Sequence, residues 1–182
     1  MRRIASLLVL LLVATAAAHG EEIEVRDVAL RAAEHGLVLD ADFAFELTPR
    51  LAEVVANGVP LYFRVDFELT RRRWYWFDEA AASQRLHLRL SYHALSRQYR
   101  LSTGLLQQSF PTLEEALNVL KRVRNWLVVD RSVSFADADY DAAVRMRLDT
   151  ALLPKPFQLS ALTGRDLQLE SPWKRFIVRP PR

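Results

Sequence analysis

Cysteine is absent from the 182 residues, which excludes a disulfide framework, a thiolate metal centre and a thiol nucleophile. Glycine is scarce. The five, at positions 20, 36, 58, 104 and 164, lie too far apart for a phosphate cradle of the GxGxxG or GxxxxGK[ST] pattern. Three common designs of exported hydrolase are missing as well: the Gly-x-Ser-x-Gly elbow, the His-Glu-x-x-His helix, and Ser-x-x-Lys followed by Lys-Thr-Gly. No catalytic motif and no cofactor motif is found, so the expected protein is not an enzyme. Beyond residue 18 there is no apolar run long enough to cross a bilayer.

The one apolar run sits at the start. Arg2 and Arg3 precede apolar residues 4–13, and small residues ending Ala16-Ala17-Ala18 follow, the order of a secretory signal peptide. Cleavage after Ala18 leaves residues 19–182 as a single domain, expected to be soluble and periplasmic or secreted; retention as an amino-terminal anchor is the alternative. Removing Arg2 and Arg3 from the 25 Lys and Arg leaves 23 against 22 Asp and Glu. The formal charge of +3 is thus mostly leader, and nucleic acid is not an expected partner.

Hydropathy alternates with a period of two along much of the remaining chain. Leu61, Phe63, Val65, Phe67 and Leu69 are apolar, while Tyr62, Arg64, Asp66 and Glu68 between them are mostly polar. The alternation recurs in Leu37, Leu39, Ala41, Phe43, Phe45 and Leu47; in Leu86, Leu88, Leu90 and Tyr92; and in Tyr140, Ala142, Val144, Met146 and Leu148. Weaker strand candidates are residues 23–30, 99–103, 157–161, 167–169 and 173–178. Glu34-His35-Gly36 is expected to turn the first hairpin. Strands at this spacing imply an antiparallel β-sandwich, immunoglobulin-like or similar. Two short helices interrupt it. Thr48 caps one, with Pro49 at its first position, Leu51, Val54 and Val55 on one face and Gly58 as the stop. The other is expected over 110–128, with Thr112 and Glu115 as a capping box and Leu113, Ala116, Leu117, Leu120, Val123 and Leu127 at helical spacing.

Several segments are distinctive: Gly58-Val59-Pro60-Leu61-Tyr62-Phe63; Arg73-Trp74-Tyr75-Trp76; Leu90-Ser91-Tyr92-His93-Ala94-Leu95 with Gln98-Tyr99-Arg100-Leu101; Leu148-Asp149 with Leu153-Pro154-Lys155-Pro156-Phe157-Gln158; and Glu170-Ser171-Pro172-Trp173. Across nearly all of the chain after the leader they resemble domain-of-unknown-function family 4390. One small departure is Asp166, where the family has tryptophan. The resemblance brings no catalytic residue. It implies an exported proteobacterial protein with a protein partner in the envelope, a membrane sensor kinase being the candidate.

Three constellations could carry chemistry. Arg71-Arg72-Arg73 runs into Trp74-Tyr75-Trp76-Phe77, residue types enriched at binding hot spots, and Arg71, Arg72, Arg73, Trp74 and Trp76 form the expected partner surface. The bland reading sends alternate aromatics into the core while the arginines pair with acids across strands. His19, exposed at a new amino terminus, offers copper its amino and ring nitrogens, with His87 or His93 to supply a third. Asp137, Asp139 and Asp141 alternate, so an extended backbone would gather three carboxylates on one face for calcium. They lack the glycine and glutamate of a helix–loop–helix calcium loop, and the alternative is a solvated turn whose acids pair with arginines. Asp149 and Lys155 are expected to form a polar pair at a turn.

Overall fold

The computed structural model describes residues 22–71, 79–163 and 166–179. Where polar and apolar residues alternate, strands form: β1 (Glu24–Ala33), β2 (Gly36–Ala44), β3 (Leu61–Arg71), β4 (Glu79–His93), β5 (Gln98–Thr103), β6 (Leu106–Phe110), β7 (Arg122–Asp130), β8 (Tyr140–Leu148) and β9 (Lys174–Val178). Between them lie helices α1 (Pro49–Ala56), α2 (Leu113–Leu120) and α3 (Lys155–Thr163), and a 3-10 turn over Thr150–Leu152.

All pairings are antiparallel and give two sheets. The small one has order β1-β2-β7, the large one β6-β5-β4-β3-β8-β9. Alternation decides which face is dry. Leu61, Phe63, Val65, Phe67 and Leu69 of β3 and Val144 and Met146 of β8 are fully buried, as is Leu39 of β2 opposite them. Each such side chain contributes about 1.5–3 kcal/mol when removed from water. Rings join the sheets: Phe45, one residue past β2, stacks on Phe63 at 5.6 Å, and Phe67 meets Trp126 of β7 edge-on at 6.5 Å. The architecture is mainly β, two antiparallel sheets enclosing one core.

Local chemistry fixes the joints. Gly36 turns the first hairpin at φ 138°, and a Cβ there would sit 2.0 Å from the carbonyl oxygen of Val129, so only glycine fits. At α1 the Thr48 hydroxyl accepts the Leu51 N–H at 2.8 Å and donates to the Asp166 carbonyl at 2.7 Å, tying the helix start to the distant 166–171 segment.

Three expectations change. The helix expected over 110–128 ends at Leu120, and the chain continues as β7. Asn125 sits in the left-handed region at φ 50°, and the register with β2 shifts between Leu39 and Ala41 and again between Leu37 and Val38. These bulges put Val123, Trp126, Val128 and Val129 toward the core, a spacing that imitates a helix. Residues 157–161, expected as a strand, belong to α3, because Pro154 and Pro156 suit a helix start; the Phe157 and Gln158 N–H groups both donate to the Pro154 carbonyl. The expected strand at 167–169 reduces to a single bridge, Arg147 with Glu170. The helices therefore number three among the described residues rather than two.

Candidate functional site

The wet face of the large sheet concentrates arginine. Register explains how. In β3, Asp66 lies directly opposite Arg85 of β4 and Arg145 of β8, while Arg64, two residues earlier on the same face, lies opposite His87 and Arg147. Cross-strand neighbours stand about 4.5–5.5 Å apart at Cβ, so four guanidinium groups converge on one carboxylate. Arg64 Nε approaches Asp66 Oδ1 at 3.0 Å, Arg145 Nε donates to Oδ2 at 3.1 Å, and Arg147 and Arg85 lie at 3.5 and 3.7 Å. The Asp66 side chain is 8% exposed, the Arg85 side chain 66%. The acid is buried beneath its cations: Arg85 reaches outward, while Arg64, Arg145 and Arg147 are half-buried.

Aromatic rings brace the array. Arg145 stacks on Trp173 at 4.4 Å and Arg89 on Tyr62 at 5.9 Å, and Arg64 has a second acid, Asp149, at 3.8 Å. Asp149 thus faces Arg64 and caps the Ala151 N–H, in place of the pair expected with Lys155. Three buried donors, the Nε atoms of Arg64, Arg100 and Arg147, have no hydrogen-bond acceptor among the described residues, although those of Arg64 and Arg147 stand within ion-pair distance of Asp66. Guanidinium keeps its charge throughout the physiological range and presents a planar fork to carboxylates and phosphates. Such a group binds anions; it does not relay protons.

Of the expected partner surface, Arg72, Arg73, Trp74 and Trp76 lie outside the described residues. Arg71 closes β3 opposite Tyr140, half-buried and on the core-facing side of the sheet, away from the arginine face. His19 lies outside the described residues too. His87 is exposed in mid-β4, and His93, at the far end of that strand, turns its Nδ1 to the Ser96 hydroxyl at 3.0 Å. The three aspartates do not share an extended face: a bend holds Asp137 and only Asp141 belongs to β8. Asp139 pairs with Arg179 at 3.0 Å. Among the described residues no group of three or more His, Asp or Glu side chains is placed to hold a metal ion.

An open groove of about 1560 Å³ runs between the starts of β1 and β9. Its charges are largely matched from within, Arg124 with Asp42, Lys121 with Glu46 and Arg26 with Glu24. The arginine face, with more cations than acids, is the stronger candidate. Sequence reasoning placed Arg64 and Asp66 on a wet strand face. It could not foresee that Arg85, Arg145 and Arg147 would meet them.

Fold and site together define a two-sheet antiparallel β domain with an arginine-rich outer face. A family model described as "Domain of unknown function (DUF4390)" matches residues 20–177, and the chain belongs to that family. Comparison with curated proteins and with solved structures finds no match. No helix among the described residues is long and apolar enough to cross a membrane.

Proposed function

We propose that this chain is an exported, non-enzymatic binding module that recognises an acidic surface of an envelope protein through the outer face of its large sheet. The observation that carries the reading is the ring of Arg64, Arg85, Arg145 and Arg147 around the single buried Asp66. Asp66, with Asp149 beside Arg64, leaves the four guanidiniums in excess, and Arg89, exposed on the same face, adds to that excess. An incoming carboxylate or phosphate would find Arg64, Arg145 and Arg147 already held by Asp66 and by packing, so little of their side-chain entropy is lost on binding. The leader-like order of residues 2–18 supports export, and a membrane sensor kinase is the envelope partner the family resemblance suggests. Residues 72–76, which follow β3 in the sequence, are a second contact in the same proposal.

Site-specific photocrosslinking in cells tests it. A crosslinker at position 85 or 89 is expected to capture one membrane protein reproducibly, and a crosslinker at position 119 on α2 is expected not to. Arg85→Glu combined with Arg89→Glu should abolish capture from position 175, which lies in β9 opposite Ala143 on the same outer face, while the far-ultraviolet spectrum stays unchanged. Trp74→Ala reports separately on residues 72–76. Equal capture from position 119, or capture indifferent to the double charge reversal, would sink the reading.

A further inference from the structure

Each sheet has two outer strands: β1 and β7 in the small sheet, β6 and β9 in the large one. A free strand edge is a template for further pairing, and proteins blunt such edges with charge, proline or a bulge. Three of the four are blunted. β1 carries Glu24, Arg26, Asp27 and Arg31 and a register shift between Val25 and Asp27; β7 carries Arg122 and Arg124 beside the left-handed Asn125; β9 opens on Lys174 and Arg175. β6 differs. Its sequence, Leu106-Gln107-Gln108-Ser109-Phe110, has no charge and no proline, its register with β5 is unbroken, and its first four residues are exposed. Leu106 is 76% exposed, and Leu105 in the preceding turn is fully so.

The hairpin fixes which backbone groups face outward. Gly104 and Leu105 form a two-residue loop, with Gly104 at φ 58°, the left-handed conformation that tight hairpin loops need. In such a hairpin the flanking pair, here Thr103 and Leu106, exchanges hydrogen bonds, and the pattern alternates from there. Leu106, Gln108 and Phe110 therefore direct their N–H and C=O groups to β5. Gln107 and Ser109 direct theirs away from the sheet.

We propose that β6 pairs with β6 of a second copy of this chain, antiparallel about a twofold axis through Gln108, joining two large sheets into one. That register sets Gln107 of each copy opposite Ser109 of the other, both with outward-facing groups, so each of these pairs exchanges two hydrogen bonds. On the core side it sets Leu106 against Phe110, apolar against apolar, and covers the exposed leucine. Gln108 meets its own copy at the axis. An axis through Gln107 would instead set Leu106 against Gln108, which is why the first register is selected. The match is one of β6 with itself, and a twofold axis closes it at a dimer. The pairing does not depend on the arginine face, although it would set two such faces side by side on one continuous surface.

The absence of cysteine makes the test clean. At the axis the two Gln108 residues form a non-hydrogen-bonded pair, with Cα atoms about 4.5 Å apart, within the range a disulfide bridges. Protein purified from cells expressing the full chain with Gln108→Cys is expected to run at twice the monomer mass after mild oxidation. Ser83→Cys, exposed on β4, is expected to stay monomeric. The unaltered protein should sediment as a concentration-dependent dimer. Ser109→Pro, which removes an outward N–H and leaves the β5 ladder intact, and Gln108→Lys, which opposes two like charges at the axis, should each weaken the dimer at least about tenfold with unchanged circular dichroism. A protein monomeric at the highest concentration it tolerates overturns the proposal. So does a dimer that ignores Gln108→Lys, or crosslinking at position 83 equal to that at 108.

Discussion

The strands of the small sheet hold four arginines against five acids; those of the large sheet hold nine Lys and Arg against four acids. In the small sheet the charges meet in small sets. Arg31 Nε donates to Asp40 at 2.9 Å, the other Asp40 oxygen accepts the N–H of left-handed Asn125 at 2.8 Å, and Arg124 pairs with Asp42. These contacts serve the fold: Asp40, on the central strand, is bonded to residues of both flanking strands. In the large sheet one buried acid is shared by four cations, an arrangement that leaves charge unspent at the surface. Charges matched one to one close a face, and an excess of one sign opens it to a ligand.

Four substitutions break or sharpen that contrast. The largest effect is expected where the sheets meet: Phe67→Ala removes the ring that reaches Trp126 and should cost about 3–5 kcal/mol in chemical denaturation, lowering the midpoint of both sheets together. Separate transitions for the two sheets would contradict a shared core. Next comes the arginine face. Asp66→Ala strips the common counter-charge from four guanidiniums and should cost about 3 kcal/mol, whereas Asp42→Ala, at an exposed pair, should cost less than about 1 kcal/mol. Equal losses would mean that the two faces differ in number of charges and not in kind.

The smallest effect concerns pH. Asp40 is held below its ordinary value, first by the hydrogen bond from the Asn125 backbone N–H; burial pulls the other way, and the Arg31 hydrogen bond and the charges of Arg31 and Arg124 add to the lowering. A carboxyl lowered in the folded state contributes stability that is full above its unfolded value and is lost as pH falls through the folded one. Asp40→Asn should therefore flatten the loss of stability below pH ~4, measured by urea denaturation at successive pH values. An unchanged slope would remove Asp40 from the acid response.

Much of the fold was legible as alternation. Leu61 to Leu69 in steps of two, and Tyr140 to Leu148 likewise, are all buried, and Thr48, Pro49 and Gly58 bound α1 as their chemistry requires. What misled was local mimicry. The bulged β7 repeats its buried residues at near-helical intervals, so a helix ending at Leu120 and a strand beginning at Arg122 read as one element. At 157–161 the alternation of Phe157, Leu159 and Ala161 suggested a strand, although the prolines at 154 and 156 were a start signal for α3. β6 carried no clear signal, being short and mostly polar on both faces.

The candidate site was legible only in pieces. Arg64, Asp66, Arg85, Arg145 and Arg147 each fall on the polar phase of a strand, and that phase is a property of the sequence. Which arginine stands beside which acid is a property of register between strands far apart in the sequence, as Asp66 and Arg147 are, and only the packed sheet sets it. By itself the sequence determined the absence of thiol chemistry, the leader-like start, the strand-rich pattern and the sidedness of each strand, because all of these rest on residue type and local period. The tertiary structure decided that β8 lies against β3, that Asp66 becomes the centre of four cations, and that β6 is left as an uncharged edge. Those follow from long-range pairing, whose geometry no local period encodes.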